Sequence, residues 1–99
     1  MNLLRRGALC LLEKAVEKWG DPMQFDNRAV GMVIRRVRRK RGLSQEVVSG
    51  LAGIARTHLT MIENGSKQPN LETVWKIALA LNMQPSELVR QIEQEIEGP

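Results

Sequence analysis

The amino-acid sequence predicts an all-α fold with six helices in 99 residues. Apolar residues recur three and four positions apart in six segments, the spacing that places them along one face of a helix. Residues that begin or end helices, chiefly asparagine, aspartate, serine and glycine, stand between these segments. No segment shows the alternation of apolar and polar residues that is typical of a half-buried strand. These observations together favour helices throughout.

The segment from Leu3 to Trp19 predicts an amphipathic N-terminal helix. Its apolar residues lie at helical spacing: Leu4, Ala8, Leu11, Leu12, Ala15, Val16 and Trp19. Glycine, aspartate and proline at positions 20–22 end this helix. Met23–Asn27 is expected to be a linker in which Asp26 or Asn27 caps the next helix. The chain therefore divides into residues 1–26, an N-terminal helix and linker, and residues 27–97.

Three longer helices are predicted in the second part. Arg28–Arg41 ends at Gly42, Asn70 caps a helix from Leu71 to about Leu81, and Gln84–Pro85 opens the last one. The last helix carries Leu88, Val89, Ile92 and Ile96 along one side. The predicted core comprises Val30, Ile34, Val37, Leu43, Val48, Ala52, Ile54, Leu59, Ile62, Leu71, Val74, Ile77, Ala78, Leu81 and Leu88.

Between these helices lie two shorter ones. Ser44 caps a helix that runs to about Ala52, Gly53–Ile54 forms a turn, and a second helix covers about Arg56–Asn64. Ser49 and Gly53 are small, so the two helices are expected to cross closely. This is the spacing of a helix-turn-helix, whose second helix can enter a DNA major groove.

Positive charge is concentrated around this motif. Residues 1–26 carry four basic and four acidic side chains, whereas residues 68–99 carry two basic and five acidic ones, a net charge of −3. Residues 27–67 carry only Glu46 and Glu63 against nine basic residues, a net charge of +7: Arg28, Arg35, Arg36, Arg38, Arg39, Lys40, Arg41, Arg56 and Lys67. Such an asymmetry indicates a polyanionic partner for the middle of the chain.

Other function classes find little support in the sequence. Cys10 is the only cysteine and His58 the only histidine, so neither an internal disulfide nor a zinc site is expected. There is no Gly-rich phosphate loop, nucleophile elbow or paired-carboxylate arrangement, so we expect no enzyme, cofactor or metal. Leu3–Leu12 is too short for a signal peptide, and no apolar run approaches the ~20 residues that span a membrane. A cytoplasmic, nucleoid-associated protein is expected.

From about Val30 to Val89 the sequence resembles the lambda-repressor/Cro-like (XRE-type) helix-turn-helix family. The matching pieces are IRRVRRKRGLSQ, VVSGLAGIARTHLTMIENG and QPNLETVWKIALALNMQPSEL. They contain Leu-Ser-Gln at 43–45, Gly53, the run Ile62–Gly65, and Pro69 followed by Leu71. The resemblance implies a five-helix lambda-repressor-like DNA-binding domain, to which this chain adds an N-terminal amphipathic helix.

The resemblance also implies which residues read DNA bases. Arg56, Thr57 and Thr60 match the family's base-facing positions at the front of the recognition helix. An arginine can pair with guanine, and a threonine offers a hydroxyl or a methyl group to thymine. Arg56 can instead bind phosphate, the threonines can be simple exposed residues, and His58 is expected beside phosphate or in solvent. Ala55 stands where the family usually has a capping serine or threonine.

Contacts to the DNA backbone are implied at other positions. Gln45 matches the family's glutamine that contacts a phosphate and braces the recognition helix. Asn64 and Lys67 match positions that touch phosphate beyond that helix. The basic run at 35–41 is either a solvated helix face or a source of further phosphate contacts. The candidates for such contacts are Arg38, Arg39, Lys40 and Arg41, and of these we expect Arg38 and Arg41 to contact the DNA backbone.

The function expected is that of a sequence-specific regulator of transcription that binds double-stranded DNA. Family members usually bind palindromic operators as homodimers, so a repressor or autoregulator of this kind is the first expectation. Either Leu3–Trp19 or the Leu88–Ile96 stripe is expected to form the twofold contact. The alternative is an antitoxin-type or adaptor protein whose N-terminal helix binds a partner protein. The sequence leaves open the choice among phage repressor, restriction–modification controller and antitoxin.

Overall fold

The computed structural model describes residues 2–21 and 25–98, with side chains described for residues 7–21 and 25–98. These residues contain no strand, so the all-α prediction is confirmed. The helix boundaries differ from the predicted ones by about one residue. The six helices are α1 (Asn2–Trp19), α2 (Asn27–Lys40), α3 (Gln45–Ala52), α4 (Arg56–Glu63), α5 (Leu71–Ala80) and α6 (Pro85–Glu97).

Side-chain caps begin three of the helices. Asp26, Ser44 and Asn70 each accept a backbone N–H from the first turn of α2, α3 and α5, at 2.9, 3.1 and 2.8 Å. The N–H of Arg28 holds the pKa of the Asp26 carboxyl below its usual value, because that hydrogen bond favours the charged form. By contrast, α4 begins at Ala55 without a side-chain cap, as predicted. Its first N–H groups therefore lack a side-chain partner there.

The core lies among α2 to α6, where twelve of the fifteen predicted residues are buried. Leu43 and Ile54 are partly buried against it. The prediction for Leu71 is wrong: it is the first residue of α5, and 71% of its surface is exposed. Val33 and Ile92, which the predicted core omitted, are buried in it.

Two glycines position the helices for different reasons. At Gly31, a Cβ atom would collide with the backbone oxygens of Ile62 and Glu63, so this glycine allows α2 and α4 to meet. At Gly53, nothing lies within 4 Å of such an atom, so the close-crossing reason predicted for it is wrong. Gly53 is instead suited to its position because φ is +70°, in the left-handed region that favours glycine.

The N-terminal helix stands apart from this core. Every described side chain from Gly7 to Asp21 is exposed, and α1 is joined to the rest near Trp19, which lies beside Ile96. Met23 and the residues on either side of it, part of the predicted linker, lie outside the described residues. Of the helices described, none combines the length and apolar character needed to cross a membrane.

Candidate nucleic-acid interface

The two helices of the motif have their apolar residues in the core and their polar residues outside. On α4, Leu59 and Ile62 are completely buried. Thr57 lies two positions before Leu59 and Thr60 one position after it, so the helical period turns both toward solvent, and Arg56 is the first residue of the helix. Arg56, Thr57 and Thr60 are accordingly exposed at the front of α4, where the sequence places the base-facing positions.

A buried ion pair joins α2 to the end of α4. Arg38 donates from Nε to Glu63 Oε2 at 2.7 Å and from Nη2 to Glu63 Oε1 at 2.9 Å. A third donor, Nη1, reaches the carbonyl oxygen of Leu43 at 2.9 Å. The side chain of Arg38 is 10% exposed and that of Glu63 only 2%. The hydrogen bonds to Glu63 raise the pKa of Arg38, because they stabilise its charged form.

The same carboxylate orients Gln45 at the start of α3. Gln45 Nε2 donates to Glu63 Oε1 at 3.0 Å, while Gln45 Oε1 accepts from the Thr60 hydroxyl at 2.9 Å. A carboxylate can only accept here, so the amide nitrogen must face Glu63 and the amide oxygen must face Thr60. One hydrogen on Nε2 remains for another acceptor. Gln45 thus bridges the first and second helices of the motif.

Thr60 has a hydroxyl that is shared within the protein. Besides Gln45, it lies 3.0 Å from the carbonyl oxygen of Arg56 as a possible donor to that atom. A hydroxyl has a single proton, so it serves one of these acceptors at a time. The methyl group of Thr60 takes no part in these hydrogen bonds. The exposed Arg56 and Thr57 side chains make no side-chain hydrogen bond or ion pair within the described chain.

The backbone-contact candidates lie on both sides of the motif. Asn64 caps the C-terminal end of α4, and its Oδ1 accepts from the N–H of Ser66 at 2.9 Å, which leaves its amide nitrogen as a donor. Lys67 follows in the next loop and is exposed. Arg41 is exposed at the end of α2, three residues before the cap of α3.

The basic residues divide into paired and unpaired sets. Arg28, Arg36 and Arg38 form ion pairs with Asp26, Glu95 and Glu63, and Arg35 lies 4.0 Å from Glu63. Among the residues that the structure describes, five of the nine form no ion pair: Arg39, Lys40, Arg41, Arg56 and Lys67. Nothing in the described part of the chain groups three or more histidine, cysteine, aspartate or glutamate residues as a metal site.

Comparison with known proteins decides the family. A model of the helix-turn-helix family HTH_3 matches residues 34–88, more than half of the chain. The chain belongs to the HTH_3 family. Proteins of this XRE-type family are DNA-binding transcription regulators and not enzymes, so this HTH_3 protein is a DNA-binding transcriptional regulator. The family resemblance expected from the sequence is confirmed.

Three proteins similar to this HTH_3 protein come from two bacteria and a phage. An uncharacterized HTH-type transcriptional regulator of Sinorhizobium fredii, y4dJ, is 33% identical over 67 residues, which are 68% of this chain and 87% of the relative. The ImmF control region 10 kDa protein of Bacillus phage phi105 is 32% identical over 59 residues, 60% of this chain and 66% of the relative. The crystal structure of the restriction–modification controller C.AhdI of Aeromonas hydrophila superposes with a TM-score of 0.61 at 34% identity, covering 63% and 94% of the two chains.

One residue of the site was missed by the sequence reasoning. In the sequence, Glu63 stands out only as one of two acidic residues among nine basic ones and as part of the Ile62–Gly65 run. In the HTH_3 domain it is the buried centre to which Arg38 and Gln45 both bind. Its place beside Ile62 is no signal of burial, because Glu93 likewise follows a buried isoleucine and is exposed; only the packing of α2 against α4 buries Glu63.

Proposed function

We propose that this HTH_3 protein is a repressor or autoregulator that binds a palindromic operator as a homodimer in the cytoplasm, at the nucleoid. The observation that carries the proposal is the Gln45 bridge between Glu63 and Thr60, with the front of α4 left exposed beside it. The bridge sets α3 and α4 as one unit before DNA is bound. A pre-set motif loses less conformational entropy on binding.

The exposed residues in the first turns of α4 contact the DNA bases in this proposal. Arg56 makes a bidentate pair with a guanine, the contact that its planar guanidinium suits best. Thr57 offers its hydroxyl or methyl group. Thr60 presents its methyl group to a thymine, because its hydroxyl is bonded to Gln45 or to the Arg56 carbonyl. These side chains make no ion pair in the described chain that DNA would have to break.

Phosphate contacts surround that front. The remaining Nε2 hydrogen of Gln45 points to a phosphate, as do the amide of Asn64, the ammonium of Lys67 and the guanidinium of Arg41. Arg38, predicted as a direct phosphate contact, instead acts through Glu63, which binds Gln45, since three of its N–H groups are donated inside the protein. These contacts fix the register of the protein on the duplex.

Occupying an operator blocks transcription when the operator overlaps a promoter, which favours a repressor. The names of two relatives, a phage control-region protein and a restriction–modification controller, are consistent with this role. A twofold dimer would place the two α4 helices in successive major grooves about 34 Å apart. The operator would then be a palindrome.

Selection of bound duplexes from a random pool tests the proposal directly. The expected result is a consensus of two inverted half-sites with centres about 10 base pairs apart. An enriched single half-site without its inverted repeat would contradict the homodimer. No enrichment beyond the starting pool would contradict sequence-specific binding.

Arg56→Ala in the same selection tests the recognition role. We expect a loss of about 1–3 kcal/mol in specific binding and a relaxed preference at one base pair of each half-site. Lys67→Ala is the matched control, because loss of a phosphate contact weakens all sequences alike. Equal losses of Arg56→Ala on the consensus and on random DNA would show that Arg56 does not read a base.

The alternative function is an antitoxin-type or adaptor protein whose N-terminal helix binds a partner protein. One observation favours it: the described apolar side chains of α1 are exposed. The two functions are compatible in one chain, because α1 lies apart from the motif. They separate experimentally, since a truncation that removes residues 1–20 would abolish partner binding while a purely DNA-reading motif would still bind its half-site.

A further inference from the structure

Two of the exposed apolar surfaces of this protein meet at Trp19. The first is the α1 stripe, formed by Leu9, Leu11, Leu12, Val16 and Trp19, all of them exposed. The second is the α5–α6 groove, lined mainly by Phe25, Leu71, Val89, Ile92 and Ile96. Exposed apolar patches of this kind mark sites of interaction.

The α5–α6 groove has the form expected of a helix receptor. It consists of two hollows of about 220 Å³ each that share Phe25, Val89 and Ile92 as lining residues. Each hollow is smaller than the ~300–1,000 Å³ typical of a small-molecule pocket. Two side-by-side hollows instead suit successive side chains of an amphipathic helix laid into the groove.

The α1 helix needs such a surface. Helices in proteins gain most of their stability from packing an apolar face against another element. The charged residues of α1 add little to this stability, because the attraction of Lys14 to Glu17 three positions away opposes the like-charge contacts four positions apart. An α1 that remained unpacked would leave its apolar stripe in water.

Charges at the edges of the two surfaces are complementary. Lys14 and Lys18 lie one turn apart beside the α1 stripe, and Glu93 and Glu97 lie one turn apart on the rim of the groove. Lys18 and Glu97 already share a hollow where α1 meets the end of α6. Within the described residues, Lys14 and Glu93 have no ion-pair partner.

The α1 helix does not lie in the α5–α6 groove of its own chain. Only Trp19, at the end of α1, lines the groove, and the rest of the helix leads away from it. The molecule is therefore 54 Å long but 27 and 23 Å across, with a radius of gyration of 16.5 Å against about 13 Å for a compact chain of 100 residues. A helix that extends beyond its own core can fill the groove of a second copy, an exchange that is a low-cost route to a dimer.

We propose that two copies exchange their N-terminal helices, the α1 stripe of each lying in the α5–α6 groove of the other with Lys14 facing Glu93. The proposal rests on the homodimer of the proposed function and names its interface. It joins the two candidate contacts, the N-terminal helix and the C-terminal stripe, in one twofold interface. The motif in α3 and α4 contributes no residue to either surface.

Complementation between two variants tests the exchange. Leu12→Glu puts a carboxylate in the α1 stripe, and Val89→Glu puts one in the groove; both positions are half exposed, so both variants should fold. Alone, each variant should shift from twice 11.2 kDa to 11.2 kDa in sedimentation velocity at a concentration where the parent is dimeric. Mixed, they should regain a heterodimer, because the intact α1 of the Val89→Glu copy fits the intact groove of the Leu12→Glu copy.

Matched controls carry the same charge on other faces. Cys10→Glu lies on the opposite side of α1 from Leu12, and Gln94→Glu lies on α6 away from the groove; both should keep the parental mass. Circular dichroism confirms that every variant is helical. A dimeric Leu12→Glu variant would overturn the exchange and leave the homodimer intact. Variants that are monomeric alone and in mixture would also overturn the exchange. A monomeric parent at all concentrations would instead overturn the homodimer itself.

Discussion

At the scale of single residues, the Arg38–Glu63 pair is the most consequential contact in the site. Both side chains are almost entirely removed from water, and each satisfies the other with two short hydrogen bonds. Removing one partner of such a pair leaves an uncompensated buried charge, which costs about 3–5 kcal/mol. The pair also holds the carboxylate to which Gln45 donates. The stability of the domain and the orientation of Gln45 are therefore linked through Glu63.

We expect Arg38→Met to lower the free energy of unfolding by about 3–5 kcal/mol, measured by urea denaturation. Arg35→Met is the matched control on the same helix, since Arg35 is half exposed and 4.0 Å from the same carboxylate. Because Arg35 is half exposed and makes no hydrogen bond to Glu63, its loss should cost about 0–1 kcal/mol, as for a surface pair. Adding Glu63→Leu to Arg38→Met should recover part of the loss, because no charge then remains buried. Similar losses in the two single variants would show that burial does not decide the strength of these pairs.

Single residues were unequally predictable from the sequence. Arg56 and Thr57 are exposed where their places in the motif put them, because a helix with known apolar positions has known outward ones. The ion pair between Arg38 and Glu63 could not be predicted from the sequence. The two residues lie 25 positions apart, and only the packing of α2 against α4 brings them together. A basic run read along the sequence shows the sign of the charge and not which of its members is neutralised.

At the scale of elements, α4 is the helix with the least local support. It has eight residues, and its N-cap residue, Ala55, has the extended backbone conformation typical of a cap but no side-chain acceptor. Its stability comes from Leu59 and Ile62 in the core. The helix also keeps its first backbone N–H groups available to an anion, since a capping side chain does not occupy them.

Ala55→Ser should supply the missing cap. Its hydroxyl can accept the backbone N–H of Thr57 or His58, so we expect the free energy of unfolding to rise by about 0.5–2 kcal/mol with an unchanged denaturant slope. Ser44→Ala removes the corresponding bond from α3 and should lower it by a similar amount. No shift in the midpoint of Ala55→Ser would mean that the backbone at this position cannot present the hydroxyl to the first turn.

Helices were predictable because their periodicity and their boundary residues agree. Asp26, Ser44 and Asn70 accept hydrogen bonds where a cap was expected, and the apolar spacing locates each buried face. The prediction that Leu71 is buried was wrong because periodicity identifies the apolar face of α5 but not which residues on that face the rest of the fold covers. The role of Gly31 is likewise not visible in the sequence, because the close approach of α2 to α4 exists only once both helices are packed.

At the scale of the whole molecule, charge is separated between the motif and the C-terminal helix. The five basic residues without an ion pair in the described chain lie at the end of α2, at the start of α4 and in the loop after it. The last helix carries four glutamates, at positions 87, 93, 95 and 97. A charge distribution of this kind attracts a polyanion to one part of the surface and repels it from another. The sequence already predicted this separation, because net charge by segment does not depend on packing.

The salt dependence of DNA binding tests whether that separation places phosphate at the motif. Each basic side chain that neutralises a phosphate adds about 0.9 to the slope of log affinity against log salt concentration on B-DNA, because it releases condensed counterions. Lys67→Ala should therefore reduce the slope by about 1 and weaken consensus and random duplexes alike. Arg90→Ala is the control, since Arg90 lies on α6 and is paired with Glu87 at 3.0 Å. An unchanged slope in Lys67→Ala would remove the loop after α4 from the interface, whereas an equal reduction in Arg90→Ala would show that DNA responds to net charge and not to its position on the surface.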